Sequence, residues 1–208
     1  MPDKDSRPTI QIYRRKSVDE FAALLADPAE RPDTGSAAAA SGALAAALLC
    51  RAVRMGETAD LEAEKQAWFL RNTEILRTYL IKLIDEDVRC RGPLRRALKE
   101  DDLHAVEAAR QVSVSICLEI VNMMGKCLEI AAEYAAFLKE NADARFYLLQ
   151  SADLAYGASL AAGRFILMTA GKSEDDTYRY VMRRENELTM QQQTALFERL
   201  RTQCTQKS

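Results

Sequence analysis

The sequence predicts an all-α fold, an up-and-down bundle of long helices, and three observations carry that prediction. Glycine and proline are scarce, eight and five in 208 residues, so few positions interrupt regular structure. Apolar residues recur at helical spacing through several long segments, while only Ile10-Gln11-Ile12-Tyr13 reads as a short extended piece. The breaks between segments are short, and long helices with short connections pack as antiparallel neighbours.

Ser17, with Glu20 three residues later, forms a capping box for a short helix over Val18 to Leu25. Pro28 and Pro32 then frame a loop. A helix of small residues follows from Ala37 to Met55, with Gly56 as its C-cap. The next segment, Asp60 to Cys90, keeps Leu61, Trp68, Ile75, Leu76, Leu80, Leu83, Ile84 and Val88 on one broad face, and Gly92-Pro93 should break or kink it. A second long helix is expected from Leu103 to Lys139, with Met123 and Met124 at core spacing, like Trp68-Phe69 before them. Asn141 or Asp143 opens another, Ala144 to Thr169. After Gly171-Lys172, Ser173 begins a polar final helix whose Gln191-Gln192-Gln193 run places it on the outside, and the chain beyond Leu200 should fray. Residues 1–16 read as an N-terminal extension and 17–208 as a single helical domain.

Lys plus Arg number 29 against 31 for Asp plus Glu, a formal charge of -2, which lacks the basic footprint of a nucleic-acid binder. Cys50, Cys90, Cys117, Cys127 and Cys204 have neither a disulfide-framework nor a zinc spacing and read as reduced thiols. Arg51 and Arg54 close the longest apolar run short of a membrane span. Asp3 and Asp5 interrupt the basic N-terminus, and no apolar h-region follows it, so the reading is a cytoplasmic protein.

The stretch Ser17-Val-Asp-Glu-Phe-Ala-Ala-Leu-Leu-Ala-Asp-Pro28, a short Pro-containing loop, and Gly35-Ser-Ala-Ala-Ala-Ala-Ser-Gly-Ala-Leu-Ala-Ala-Ala-Leu48 resemble the opening of the cyclodeaminase/cyclohydrolase family. That family comprises the cyclodeaminase part of formiminotransferase-cyclodeaminase and the methenyltetrahydrofolate cyclohydrolases. Ile84-Asp-Glu-Asp-Val88 echoes its acidic pair late in a long helix, and Gln150-Ser-Ala-Asp-Leu-Ala155 its Ser-Asp-Ala-Gly-Val-Ala motif. The resemblance runs from Ser17 to Thr169. It implies a methenyltetrahydrofolate cyclohydrolase-like helical fold, a homodimer, and chemistry on one-carbon tetrahydrofolate derivatives without a metal or redox cofactor. Cyclohydrolases add water to the methenyl bridge; cyclodeaminases close formiminotetrahydrofolate to that bridge with loss of ammonia.

Carried onto this chain, the resemblance makes Asp87 or Glu86 the general base and Asp153 a possible second carboxylate. It makes Thr34, Gly35, Ser36, Arg54 and Ser151 the ligand-binding positions. Arg51, Arg54, Arg89 and Arg91 have the guanidinium geometry to hold a folate's carboxylates; Arg51 and Arg54 also suit an exposed helix end. The family's Pro-Gly-Gly-Gly loop is here Pro32-Asp33-Thr34-Gly35, its motif Asp aligns with Ser151, and Arg54 and Thr169 stand where Asn is usual. A side chain and a negative charge at the cradle oppose an acidic ligand. A second reading therefore stays open: a catalytically inactive relative acting as a dimeric scaffold or binding an unrelated ligand or protein partner, its Ala-rich helix a packing seam. His104, after Glu100-Asp101-Asp102, reads as a surface residue; Arg89 and Arg91 flank Cys90 in a way that can lower its pKa, yet without a partner base the cysteine reads as inert.

Overall fold

A computed structural model describes residues 12–29, 32–56, 61–138 and 141–205 of the chain. Among them a 3-10 turn at Tyr13–Arg15 precedes six helices: α1 (Val18–Ala26), α2 (Thr34–Met55), α3 (Ala63–Glu100), α4 (Leu103–Ala135), α5 (Ala142–Ala170) and α6 (Asp176–Thr205). Helices α2, α3, α4 and α5 pack each against the next, and α2 closes the ring onto α5; α6 lies along the α4 and α5 side. The expected all-α bundle of long helices is what the chain forms.

Local chemistry explains the boundaries. Ser17 Oγ accepts from the Glu20 amide at 3.2 Å, and the Ser17 amide donates to Glu20 Oε2 at 2.9 Å, the reciprocal box predicted for α1. α1 nevertheless buries no residue of its own. α2 starts at Thr34 rather than Ala37, because the Asp33 carboxylate caps it, accepting from the Thr34 amide at 2.6 Å. Asp102 and Asn141 cap α4 and α5 by accepting from Ala105 and Ala144. Of the Ile10–Tyr13 piece, Ile12 is extended, while Tyr13 is a buried member of the 3-10 turn. Ile10 lies outside the described residues, as do Asp60 and Lys139, the predicted ends of two helices.

Gly92-Pro93 does not end α3, the first of the two outcomes expected there. α3 continues through both to Glu100. Proline forfeits one backbone hydrogen bond there, but Val88, Arg91 and Ala97 are buried on either side of it, and burial of a helix face outweighs one lost bond. α6 also departs from expectation. It begins at Asp176, since Asp175 accepts from the Thr177 and Tyr178 amides, and it is held to Thr205 because Leu200 and Cys204 are buried. Its polar residues are partly core: Gln193 Nε2 donates to the Val121 carbonyl at 2.8 Å. Gln193 sits against Gly125, and Asn186 against Gly163.

α2 is the centre of the bundle. By length and hydropathy it qualifies as a membrane span, contrary to the sequence reading, yet 61% of that window is buried inside the protein. Its small residues permit this packing. A Cβ at Gly42 would stand 2.7 Å from the Met124 methyl and 3.2 Å from Leu80 Cδ2, so α2 rests directly on α4 and α3. Lower down, Ser151 Oγ on α5 donates to the Ala45 carbonyl at 2.7 Å. At the C-terminal end the Tyr134 hydroxyl reaches the Val53 carbonyl (3.2 Å), and Asn141 Nδ2 donates to the Met55 carbonyl (2.8 Å). Phe69 and Met124 are fully buried as expected, whereas Trp68 is 40% exposed.

Two glycine substitutions separate packing from propensity. A Cβ at Gly157 meets nothing within 4 Å, so Gly157→Ala should raise unfolding stability by ~0.5–1 kcal/mol. Gly42→Val should lower it by ~1–3 kcal/mol through overpacking against Met124 and Leu80. Urea unfolding of the two variants measures both.

Candidate functional site

The N-terminus of α2 meets α3 through one carboxylate. Asp87 is fully buried. Its Oδ2 accepts from the Ser36 amide at 2.8 Å and from the Ser36 hydroxyl at 2.7 Å, and its Oδ1 accepts from Arg91 Nε at 3.0 Å. A buried carboxylate needs such donors, because an unpaired charge there would cost several kcal/mol. The α2 N-terminus adds free amides and the positive end of the helix dipole. Gly35 makes the approach possible: a Cβ there would lie 2.1 Å from Asp87 Oδ1.

Arg91 is the second buried charge. Besides Asp87, its Nη1 pairs with Asp33 Oδ2, and its Cζ sits 4.3 Å from the Phe165 ring centroid on α5. Its Nη2 is buried without a hydrogen-bond partner among the described residues. Asp33 thus works twice, capping α2 and closing over Arg91, with its own side chain 51% exposed. Partial burial alone would raise its pKa, but the Arg91 guanidinium and the Thr34 amide and hydroxyl outweigh that and hold it below the usual carboxylate range. Beyond this cluster lies a cavity of about 400 Å³ lined by Val88, Arg91, Gly92, Arg95, Arg96 and Lys99. Arg91 is the residue that the two share.

The structure brings Gly35, Ser36 and Asp87 together, with Thr34 beside them, and leaves the other predicted site residues apart. Glu86 faces away from Asp87 into an exposed i,i+3 pair with Arg89. Arg54 is exposed in the last turn of α2, about 30 Å from Thr34 at 1.5 Å per residue. Ser151 is buried in the seam between α5 and α2, with Cys127 Sγ 3.8 Å away, so it holds two helices rather than lining a cavity. Asp153 is exposed on α5, as its rotation of about 200° from Ser151 requires. Of the four arginines considered for carboxylates, Arg51 stacks on Tyr147, and Arg91 alone stands with Asp87. His104 is exposed as expected.

Arg91's pairing with Asp87 had a sequence signal, the i,i+4 spacing of Asp and Arg. Asp33 and Phe165 had none, because each reaches Arg91 from another helix or loop. Asp85 also lacked one: its Oδ1 accepts from the Tyr13 amide at 2.7 Å and the Arg14 amide at 3.2 Å, fastening residues 13–15 to α3. The inert reading of Cys90 holds, and the flanking arginines do not lower its pKa. Burial, with the Asp87 charge added to it, pushes its thiol up to about 11 despite Arg91. Burial likewise raises Cys117, and raises Cys127 to about 12.

Comparison with known proteins now bears on this geometry. The family model described as formiminotransferase-cyclodeaminase matches residues 17–188. The chain belongs to that family. Among solved structures it is similar to the formiminotetrahydrofolate cyclodeaminase of Thermotoga maritima, with a TM-score of 0.82 and 20% identity, covering 91% of this chain and 96% of that one. Identity at that level shows the shared fold. No curated protein matches the chain.

Three outcomes follow from the cluster. Gly35→Ala should destabilise the chain by ~3 kcal/mol or more, since its Cβ displaces a buried carboxylate from its donors; thermal unfolding reads this. All five cysteines are buried, so at about pH 8 a thiol-reactive disulfide reagent should modify none in the native chain and all five in denaturant. Because the folded pKa of Asp33 is depressed, its contribution is present above the unfolded value of about 3.9 and is lost as pH falls through the folded one. Asp33→Asn should therefore flatten the fall in stability below about pH 4.

Proposed function

We propose that this chain is a divergent folate one-carbon enzyme resembling methenyltetrahydrofolate cyclohydrolase and formiminotetrahydrofolate cyclodeaminase. It works in the cytoplasm as a homodimer, on a tetrahydrofolate derivative and without a metal or redox cofactor. Family membership supports the substrate class, and the observation that carries the reading is the Asp87–Ser36–Arg91 cluster bordering a basic cavity. A carboxylate so placed is the chain's candidate base, with Ser36 and Arg91 orienting it. For it to take a proton from water, the Asp33 pair over Arg91 must open, because Asp87 has no exposed surface when that pair is closed. Glu86, half-buried, and Asp153, exposed, both lie outside this cavity and carry no step.

The same closure favours a second reading, a catalytically inactive dimeric homologue. Both Asp87 oxygens are committed to donors within the fold. That commitment is what a purely structural carboxylate would show.

Turnover separates the two. The active reading expects purified chain to accelerate loss of 5,10-methenyltetrahydrofolate absorbance over buffer, with Asp153→Asn unchanged within about twofold. Calorimetry with the same folate reports binding independently. Binding without turnover assigns the inactive reading; neither binding nor turnover by folded chain removes the folate assignment. Light scattering at micromolar concentration should give twice the chain mass of 23.3 kDa, and a monomer contradicts the dimer.

A further inference from the structure

We propose that the groove at the C-terminal end of α3, lined by Arg91, Arg95, Arg96 and Lys99, binds a small anion bearing two or more carboxylate or phosphate groups, and that Asp33 is the internal counter-ion which this anion displaces from Arg91. The inference does not rest on the folate reading, since the probes below carry no pterin.

The first argument is extent. Arg91 and Lys99 are eight residues apart, about 12 Å along the helix, and Arg95 and Arg96 line the same cavity of about 400 Å³. One carboxylate cannot span that distance; a ligand with several acid groups can. The wall is open at Gly92, where an added Cβ would meet nothing within 4 Å.

The second argument concerns what Arg91 can exchange. Asp87 is fully buried and held by Ser36 as well, so removing it from Arg91 would leave two uncompensated charges in the core. Asp33 is half exposed, so its carboxylate moves from Arg91 into solvent rather than into the core. An incoming acid group can take its place on Nη1, and Nη2, without a hydrogen-bond partner among the described residues, offers a further donor and so a bidentate fork. Helix-dipole compensation explains Lys99 in the last turn of α3, but its reach is that turn and does not extend to Arg91, Arg95 or Arg96.

The test is calorimetry on the full chain with inorganic tripolyphosphate and, separately, citrate, at about 150 mM salt to suppress diffuse attraction. Saturable one-to-one binding of at least one is expected, and the stronger arm tells phosphate from carboxylate. Arg96→Glu with Lys99→Glu should weaken it at least ~10-fold; both side chains are exposed, and far-UV circular dichroism should show unchanged helicity. Asp33→Asn keeps a capping oxygen but releases Arg91, and should tighten binding by about threefold or more. Asp101→Asn removes the same charge from the same end of the bundle at a left-handed position that Asn tolerates, and should change affinity by less than about twofold. No saturable binding of either probe overturns the site. Equal effects of Asp33→Asn and Asp101→Asn overturn the displacement.

Discussion

One carboxylate organises this molecule. Asp87 is brought into the bundle without exposed surface, and everything around it answers the cost of burying that charge. Ser36 supplies an amide and a hydroxyl, Arg91 supplies a guanidinium, and Gly35 supplies the absence of a side chain where one would strike the acid. Arg91, buried in its turn, requires Asp33 and the face of Phe165. Through this chain of requirements α2, α3 and α5 are fixed to one another at one end of the bundle. Tyr134 and Asn141 do the same at the other end by holding the last carbonyls of α2.

Between those ends α2 succeeds because it is nearly free of side-chain bulk. Alanine and glycine let it lie against α3, α4 and α5 together, with Gly42 on Met124 and Ala45 bonded to Ser151. Read along the chain, this composition suits either a ligand cradle or a packing seam. In space most of it is an intramolecular seam, and only its first turn, Thr34 to Ser36, belongs to the charged cluster. The feature that could serve a ligand lies next door, on the arginine side of α3.

The long helices and their caps were legible because their signals are local. Ser17 with Glu20 forms the predicted box, and apolar spacing placed Phe69 and Met124 in the core. What failed was what depends on partners distant in sequence. Pro93 reads as a helix breaker until the burial of Val88, Arg91 and Ala97 around it is known, and α6 is the outer helix expected, but its Gln193, read as an outside residue, is buried against Gly125. At the site, Asp87 with Gly35 and Ser36 comes from the family resemblance, and Arg91 is one of four arginines named for a folate's carboxylates, its i,i+4 spacing from Asp87 not used. Asp33 was seen as a charge that opposes a ligand, without its role as counter-ion to Arg91, since nothing local connects positions 33 and 91. Arg54, Ser151 and Asp153 aligned along the chain but stand elsewhere in the bundle.

The dependence of the fold on the buried pair is tested most directly by a double-mutant cycle on Asp87 and Arg91, with Asp87→Asn, Arg91→Met and the double variant unfolded in urea. Each single variant strands a buried charge, whereas the double removes both. The account predicts that the double variant loses less stability than the sum of the singles, by ~2 kcal/mol or more. Additive losses within about 0.5 kcal/mol would contradict it, because Asp87 and Arg91 would then stabilise the chain independently.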